Sequence, residues 1–156
     1  MTTAADVWVA ATVDALTPLA DPAAAAPMAR YMKDVAPFLG IATPARRRAQ
    51  RAAWHPLPPL ESDELAEAAL HLWALPQREF HYAACELIGR RPGHLPASFL
   101  LDPVERLITT TSWWDTVDSL ESNAVIPLVS RHPDLVDVMW EWLRSDDRWL
   151  VRTAVQ

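Results

Sequence analysis

Fourteen prolines and only three glycines are spread along 156 residues, and this imbalance constrains what the chain can become. Proline lacks an N–H and fixes φ, so it belongs at helix starts and between elements. Tight β-hairpins need residues that accept positive φ, and three glycines supply few of them. Alanine and leucine, both strong helix formers, are abundant. The expectation is an all-α chain punctuated by proline.

Residues 4 to 17 form a first amphipathic helix, with Val7, Trp8, Ala11 and Leu16 on its apolar side and Pro18 beyond its end. Asp21 and Pro22 supply an N-cap and a first-turn proline for a helix through MARYMKDVA. Thr43 and Pro44 do the same for ARRRAQRAAW, and HPLPPLE breaks the chain again. Further helices are expected near 62–75, 77–90, 103–111, 113–130, 133–145 and from 147, with Pro127 kinking the long one. Short connections in the second half predict antiparallel neighbours. REFHYAAC, SWWDTVDS and RWLVRTAV each place an aromatic or leucine two residues after a polar starter. Phe80, Trp114 and Leu150 recur at intervals of 34 and 36 residues. A helix pair repeating at that interval marks an α-solenoid; an irregular helical bundle is the alternative. The length suits a single domain over residues 1–156.

A net charge of −6 argues against gripping nucleic acid by bulk charge. Its distribution leaves room for a local anion-binding face. Between Pro22 and Leu60, Arg30, Lys33, Arg46, Arg47, Arg48 and Arg51 face one acidic residue, Asp34. Cys85 is the single cysteine, set in an apolar helical stretch, and reads as a buried small residue. His55, His71, His81, His94 and His132 show no H-x-x-x-H or cysteine-partnered spacing, so nothing supports a metal. No apolar run approaches the ~18 residues of a membrane span. The N-terminus lacks a basic leader and carries Asp6 and Asp14, so a cytoplasmic protein is expected.

The segment TTTSWWDTVDSL, residues 109–120, sets two tryptophans before two aspartates. Ser112 and Asp115 have the spacing of a capping box at a helix start. Trp113 lies beside Val117 and Leu120 at helical spacing and is expected in the core. Trp114 and Asp118 share another face, roughly 100° around the helix. That face has two readings. A half-exposed indole packs on a neighbouring helix while Asp118 makes an ion pair across the groove, or the two form a site for something cationic.

Elsewhere the bland readings are the simpler ones. Arg46, Arg47, Arg48 and Arg51 suit a solvated helix face. Tyr31 suits either core packing or, with Lys33, a DNA contact. Trp140, Trp142 and Trp149 read as inter-helix packing, and Glu79 and Glu86 as surface partners of nearby arginines.

PMARYMK, FLGI-x-TP-x-RR from Phe38 to Arg47, LWALPQREF, SWWD-x-VD and WLVR occur in that order between Pro27 and the last residue. Together they resemble the bacterial DNA alkylation repair family, alkylpurine DNA glycosylases built of HEAT-like repeats. The resemblance implies a right-handed superhelical α-solenoid of antiparallel helix pairs. It matches Asp118 to the family's catalytic aspartate, Trp114 to its site tryptophan and Arg152 to its phosphate-binding arginine. It also makes DNA contacts by Tyr31, Lys33 and part of the arginine run, Arg47 included, reasonable. The implied partner is duplex DNA, and the implied reaction is hydrolysis of the N-glycosidic bond of cationic purines such as 7-methylguanine and 3-methyladenine, without base flipping. No cofactor is needed. The only lysine, Lys33, lies outside the site motif, which disfavours a Schiff-base lyase step. The alternative is a non-catalytic helical-repeat module that binds DNA or protein. The resemblance further implies repeats beyond Gln156, one of them carrying a second site tryptophan. The expectation is a shortened chain, or an open end covered by a partner or a second copy, with weak DNA binding and slow or absent hydrolysis.

Overall fold

The computed structural model describes residues 1–90 and 92–156. Their regular elements are helical, and no strand occurs among the described residues. None of these helices is long and apolar enough to cross a membrane. The chain divides into two compact units, Met1–Ala84 and Cys85–Gln156.

In the first unit, α1 (Ala4–Leu16) begins with a capping box. The Thr3 hydroxyl accepts from the Asp6 amide, and the Asp6 carboxylate accepts from the Thr3 amide. Next come α2 (Pro22–Tyr31), α3 (Thr43–Trp54) and α4 (Ser62–Ala74), and α1 packs on both α3 and α4. Trp8 and Trp54 meet at 5.9 Å between ring centroids in this core. Trp54 donates its indole N–H to Thr12 Oγ1 at 2.9 Å and Trp8 donates to the Pro58 carbonyl at 3.1 Å. Both buried indoles are thereby satisfied. Val7, expected on the apolar side, is 42% exposed.

Two helix ends differ from expectation. α2 has the Asp21 cap and first-turn Pro22 but stops at Tyr31, short of the expected DVA. Lys33 and Asp34 take left-handed φ values of 59° and 55°, and the Asp34 amide closes the end by bonding the Ala29 carbonyl at 2.8 Å. α3 is preceded by Ala42, not Thr43, and no side chain caps it.

The largest correction concerns Glu79, on α5 (Arg78–Ile88), a helix that runs across the boundary of the two units. It is fully buried rather than on a surface. Its carboxylate accepts the amides of Leu39, Gly40 and Ile41 at 2.8, 2.8 and 3.2 Å. Gly40 is required there. Its φ is +94°, and a Cβ would lie 2.1 Å from the Asp21 carbonyl oxygen. The FLGI and PQREF stretches are thus two halves of one contact.

In the second unit a helical turn breaks at Asp102, whose extended φ and ψ of −151° and 115° suit the residue before Pro103. α6 (Glu105–Ile108) follows, shorter than the expected 103–111. α7 (Trp114–Leu120) widens into a π-turn through Glu121–Val125, which continues as α8 (Ile126–Arg131). The Ile126 amide bonds the Glu121 carbonyl in this wide turn. Pro127 would otherwise meet the carbonyl four residues before it, so the expected kink takes the form of a bulge. α9 (Val136–Trp142) and α10 (Arg148–Val155) complete the unit, and α10 contacts both α7 and α9. Trp142 is buried and donates to Glu105 Oε2 at 3.0 Å, whereas Trp140 is 55% exposed instead of packed.

α5, α7 and α10 start at residues 78, 114 and 148, so the spacing seen in the sequence is a spacing of helix starts. Its register is shifted. The buried third residues are Phe80, Thr116 and Leu150, while Trp114 is a first residue and 40% exposed.

Candidate active site

The chain enters α7 through three residues of irregular backbone. Thr111 has a left-handed φ of 51°, and Ser112 donates its hydroxyl to the Ile108 carbonyl rather than capping α7. Trp113 is the residue before the helix, extended at φ −151° and ψ 166°, and its carbonyl accepts the Val117 amide. The expected capping box is therefore absent. The Asp115 carboxylate bonds the Thr116 amide instead, at 2.8 Å.

This entry separates the two indoles. Trp113, expected in the core, is half-buried at the edge of α10. Its ring meets Trp149 edge-on at 5.5 Å and 66°, and its Nε1 is buried with no acceptor among the described residues. Trp114 is exposed. Asp118 sits one turn further along α7 with a third of its side chain accessible.

Asp118 and Arg152 come together as two parallel charge-assisted bonds. Arg152 Nε donates to Oδ1 at 2.7 Å and its Nη2 to Oδ2 at 2.8 Å. The Asp118 hydrogen bonds raise the Arg152 pKa above the ordinary arginine value, so the guanidinium stays charged. Both side chains remain accessible, at 40% for Arg152 and 34% for Asp118. Exposed ion pairs contribute about 1 kcal/mol or less, so this one is inexpensive to open. It is also the ion pair across a groove that one sequence reading expected.

Trp113, Trp114, Arg148, Trp149 and Arg152 line a cavity of about 320 Å³. Asp118 is not among the lining residues and reaches the cavity through Arg152. The guanidinium of Arg148 lies over the Trp149 ring at 4.6 Å and the Trp113 ring at 5.7 Å. Neither Arg148 nor the bridging function of Arg152 was legible in the sequence. Arg148 is four residues before Arg152, a helical neighbour spacing, and that was the available signal.

The other candidates belong to the first unit. Tyr31 is 72% exposed, which rules out core packing, and Lys33 is exposed on the left-handed turn after α2. The arginine run splits. Arg46 is buried, bonding Gln50 at 3.0 Å beneath the Tyr82 ring, while Arg47, Arg48 and Arg51 are exposed.

Asp6, Glu67 and His71 bring potential ligand atoms within 4.8 Å of one another on α1 and α4. The sequence reading missed this group because its third member is on another helix. Its carboxylates already have partners: Asp6 accepts the Thr3 amide, and Glu67 accepts the Thr3 hydroxyl at 3.4 Å.

The protein is all-helical over its described residues, and its second unit carries an indole-lined cavity beside an accessible carboxylate–guanidinium pair. The chain belongs to the family described as DNA alkylation repair enzyme, which it matches over residues 12–156. Among curated proteins no relative matches it.

Proposed function

We propose that this protein hydrolyses the N-glycosidic bond of cationic alkylated purines, such as 7-methylguanine and 3-methyladenine, in duplex DNA. The observation that carries the reading is the accessible Asp118 carboxylate, oriented by a bidentate bond from Arg152 one turn from the exposed indole of Trp114. Family membership supplies the repair chemistry and the DNA.

An alkylated purine already bears positive charge and leaves as a neutral base, so no general acid is needed. Positive charge then grows on the deoxyribose. The Asp118 carboxylate attracts it by Coulomb's law and the Trp114 face by its quadrupole, more strongly in the transition state than before it. A unit charge about 4 Å away at an effective dielectric of 20 is worth roughly 4 kcal/mol. Both partners of the Asp118–Arg152 pair are accessible, and such pairs contribute about 1 kcal/mol or less, so Asp118 can turn from Arg152 toward the sugar at little cost.

The guanidinium has five N–H donors and spends two on Asp118. The remaining donors are available to a backbone phosphate, so Arg152 links the register of the DNA to the aim of the carboxylate. Asp118 also orients the attacking water. Tyr31, Lys33 and Arg47 are assigned backbone contacts from the first unit, where all three are exposed.

The test is release of 7-methylguanine from methylated duplex DNA by the protein and by Asp118→Asn. Release by the parent and its loss in the variant support the proposal. Equal release by both would assign the chemistry elsewhere. A second reading, a non-catalytic DNA-binding module, is favoured by the engagement of both Asp118 oxygens and their absence from the cavity wall. Salt-dependent duplex binding without base release is its signature.

A further inference from the structure

Two arginines line the cavity beside Asp118, and they differ in what their charge already does. Arg152 is neutralised by Asp118 through a bidentate fork. Arg148 has no carboxylate within ion-pair distance among the described residues and is exposed. Its immediate neighbour Asp147 is occupied elsewhere, accepting the amides of Trp149 and Leu150 at 2.8 and 3.2 Å as the cap of α10. The Glu121 carboxylate also acts on Arg152, so among the cleft's two arginines Arg148 is the one whose charge no carboxylate pairs.

The indoles of Trp149 and Trp113, 4.6 and 5.7 Å away, hold that cation in place. A guanidinium resting on an aromatic face keeps its in-plane N–H donors free, and less side-chain freedom remains to be lost on binding. Arg148 and Arg152 lie on one face of α10, about 6 Å apart along its axis. Side chains one turn apart on one helix face point the same way, so both guanidinia face the same stretch of a docked strand.

We propose that Arg148 is the cleft's principal phosphate-binding cation, gripping the strand next to the phosphate held by Arg152. The inference rests on the duplex-DNA reading above and adds to it a residue and a division of labour. Arg148 brings an unpaired charge that draws in the backbone, and Arg152 converts the docked backbone into an aimed carboxylate.

The experiment measures binding to a labelled duplex containing a tetrahydrofuran abasic residue across a salt series, for the parent, Arg148→Gln and Arg148→Lys. Arg148→Gln is expected to weaken binding about tenfold at low salt and to lower the magnitude of the slope of log K against log salt by about 0.9. Arg148→Lys is expected to restore that slope, because a lysine keeps the charge while giving up the planar stack. If Arg148→Gln leaves the slope unchanged, or Arg148→Lys fails to recover it, Arg148 only packs on the two indoles and the inference falls alone. If the parent binds no duplex at any salt, the proposed function falls with it. Thermal melts of both variants confirm that a change in slope comes from a folded protein.

Discussion

Glu79 and Asp118 are two carboxylates on α5 and α7, and the chain uses them in opposite ways. Glu79 is fully buried and accepts three backbone amides of the 39–41 loop. Asp118 is one-third accessible, and its partner is a side chain that also faces a cavity. A buried anion surrounded by amides is committed, because removing either side leaves uncompensated polar groups. An accessible anion paired with an accessible guanidinium keeps its charge available to a third party. Burial and partner type, rather than residue type, separate the structural acid from the candidate catalytic one.

That contrast breaks most directly at Glu79. Glu79→Ala strands three amides and should cost about 3–5 kcal/mol, a fall in melting temperature on the order of 10 °C by calorimetry. A melt unchanged within a degree would mean the 39–41 loop holds itself. Asp118→Asn should behave in the opposite sense. Base release is expected to fall about 10²–10³-fold while stability moves by no more than ~1 kcal/mol. Stability loss comparable to that of Glu79→Ala would erase the distinction.

Gly40→Ala sharpens the first half of the comparison, since it leaves the carboxylate in place and disturbs only the loop that feeds it. The strained φ and the contact with the Asp21 carbonyl should together cost about 2–4 kcal/mol in urea unfolding. The smallest effect is expected at a third carboxylate, Asp6. The Thr3 amide holds its pKa below the ordinary aspartate value. Its contribution to stability is therefore present above that ordinary value and disappears as pH falls through the depressed one. Asp6→Asn should lower stability slightly at neutral pH, leave it unmoved in acid below the depressed pKa, and so flatten the acid limb.

Much of the fold is written locally. Asp21 before Pro22 fixes the start of α2, and the recurrence of helix starts near residues 78, 114 and 148 is visible as a repeated polar-then-apolar pattern. The register of that pattern is not. Extended backbone at Trp113 delays α7, so Trp114 emerges as an exposed first residue rather than the counterpart of buried Phe80. The candidate site was legible as far as one helix reaches. The spacing of Trp114 and Asp118 places them on one face whatever surrounds them. Ser112 failed as a cap because its hydroxyl found the Ile108 carbonyl, a nearby competitor that spacing alone does not rank.

The sequence by itself determined an all-helical chain, the proline and aspartate signals near its helix starts, and the shared face of Trp114 and Asp118. Those are consequences of φ restriction and a 3.6-residue period, which act within a few residues of one another. Only the tertiary structure decided that Asp118 meets Arg152, that Arg148 rests on Trp149 and Trp113, and that Glu79 closes on the Gly40 loop. Those partners are 34 to 39 residues apart for the two acids, and no local rule pairs them. Which charges meet, and which remain accessible, depends on how helices stack and what that stacking removes from water.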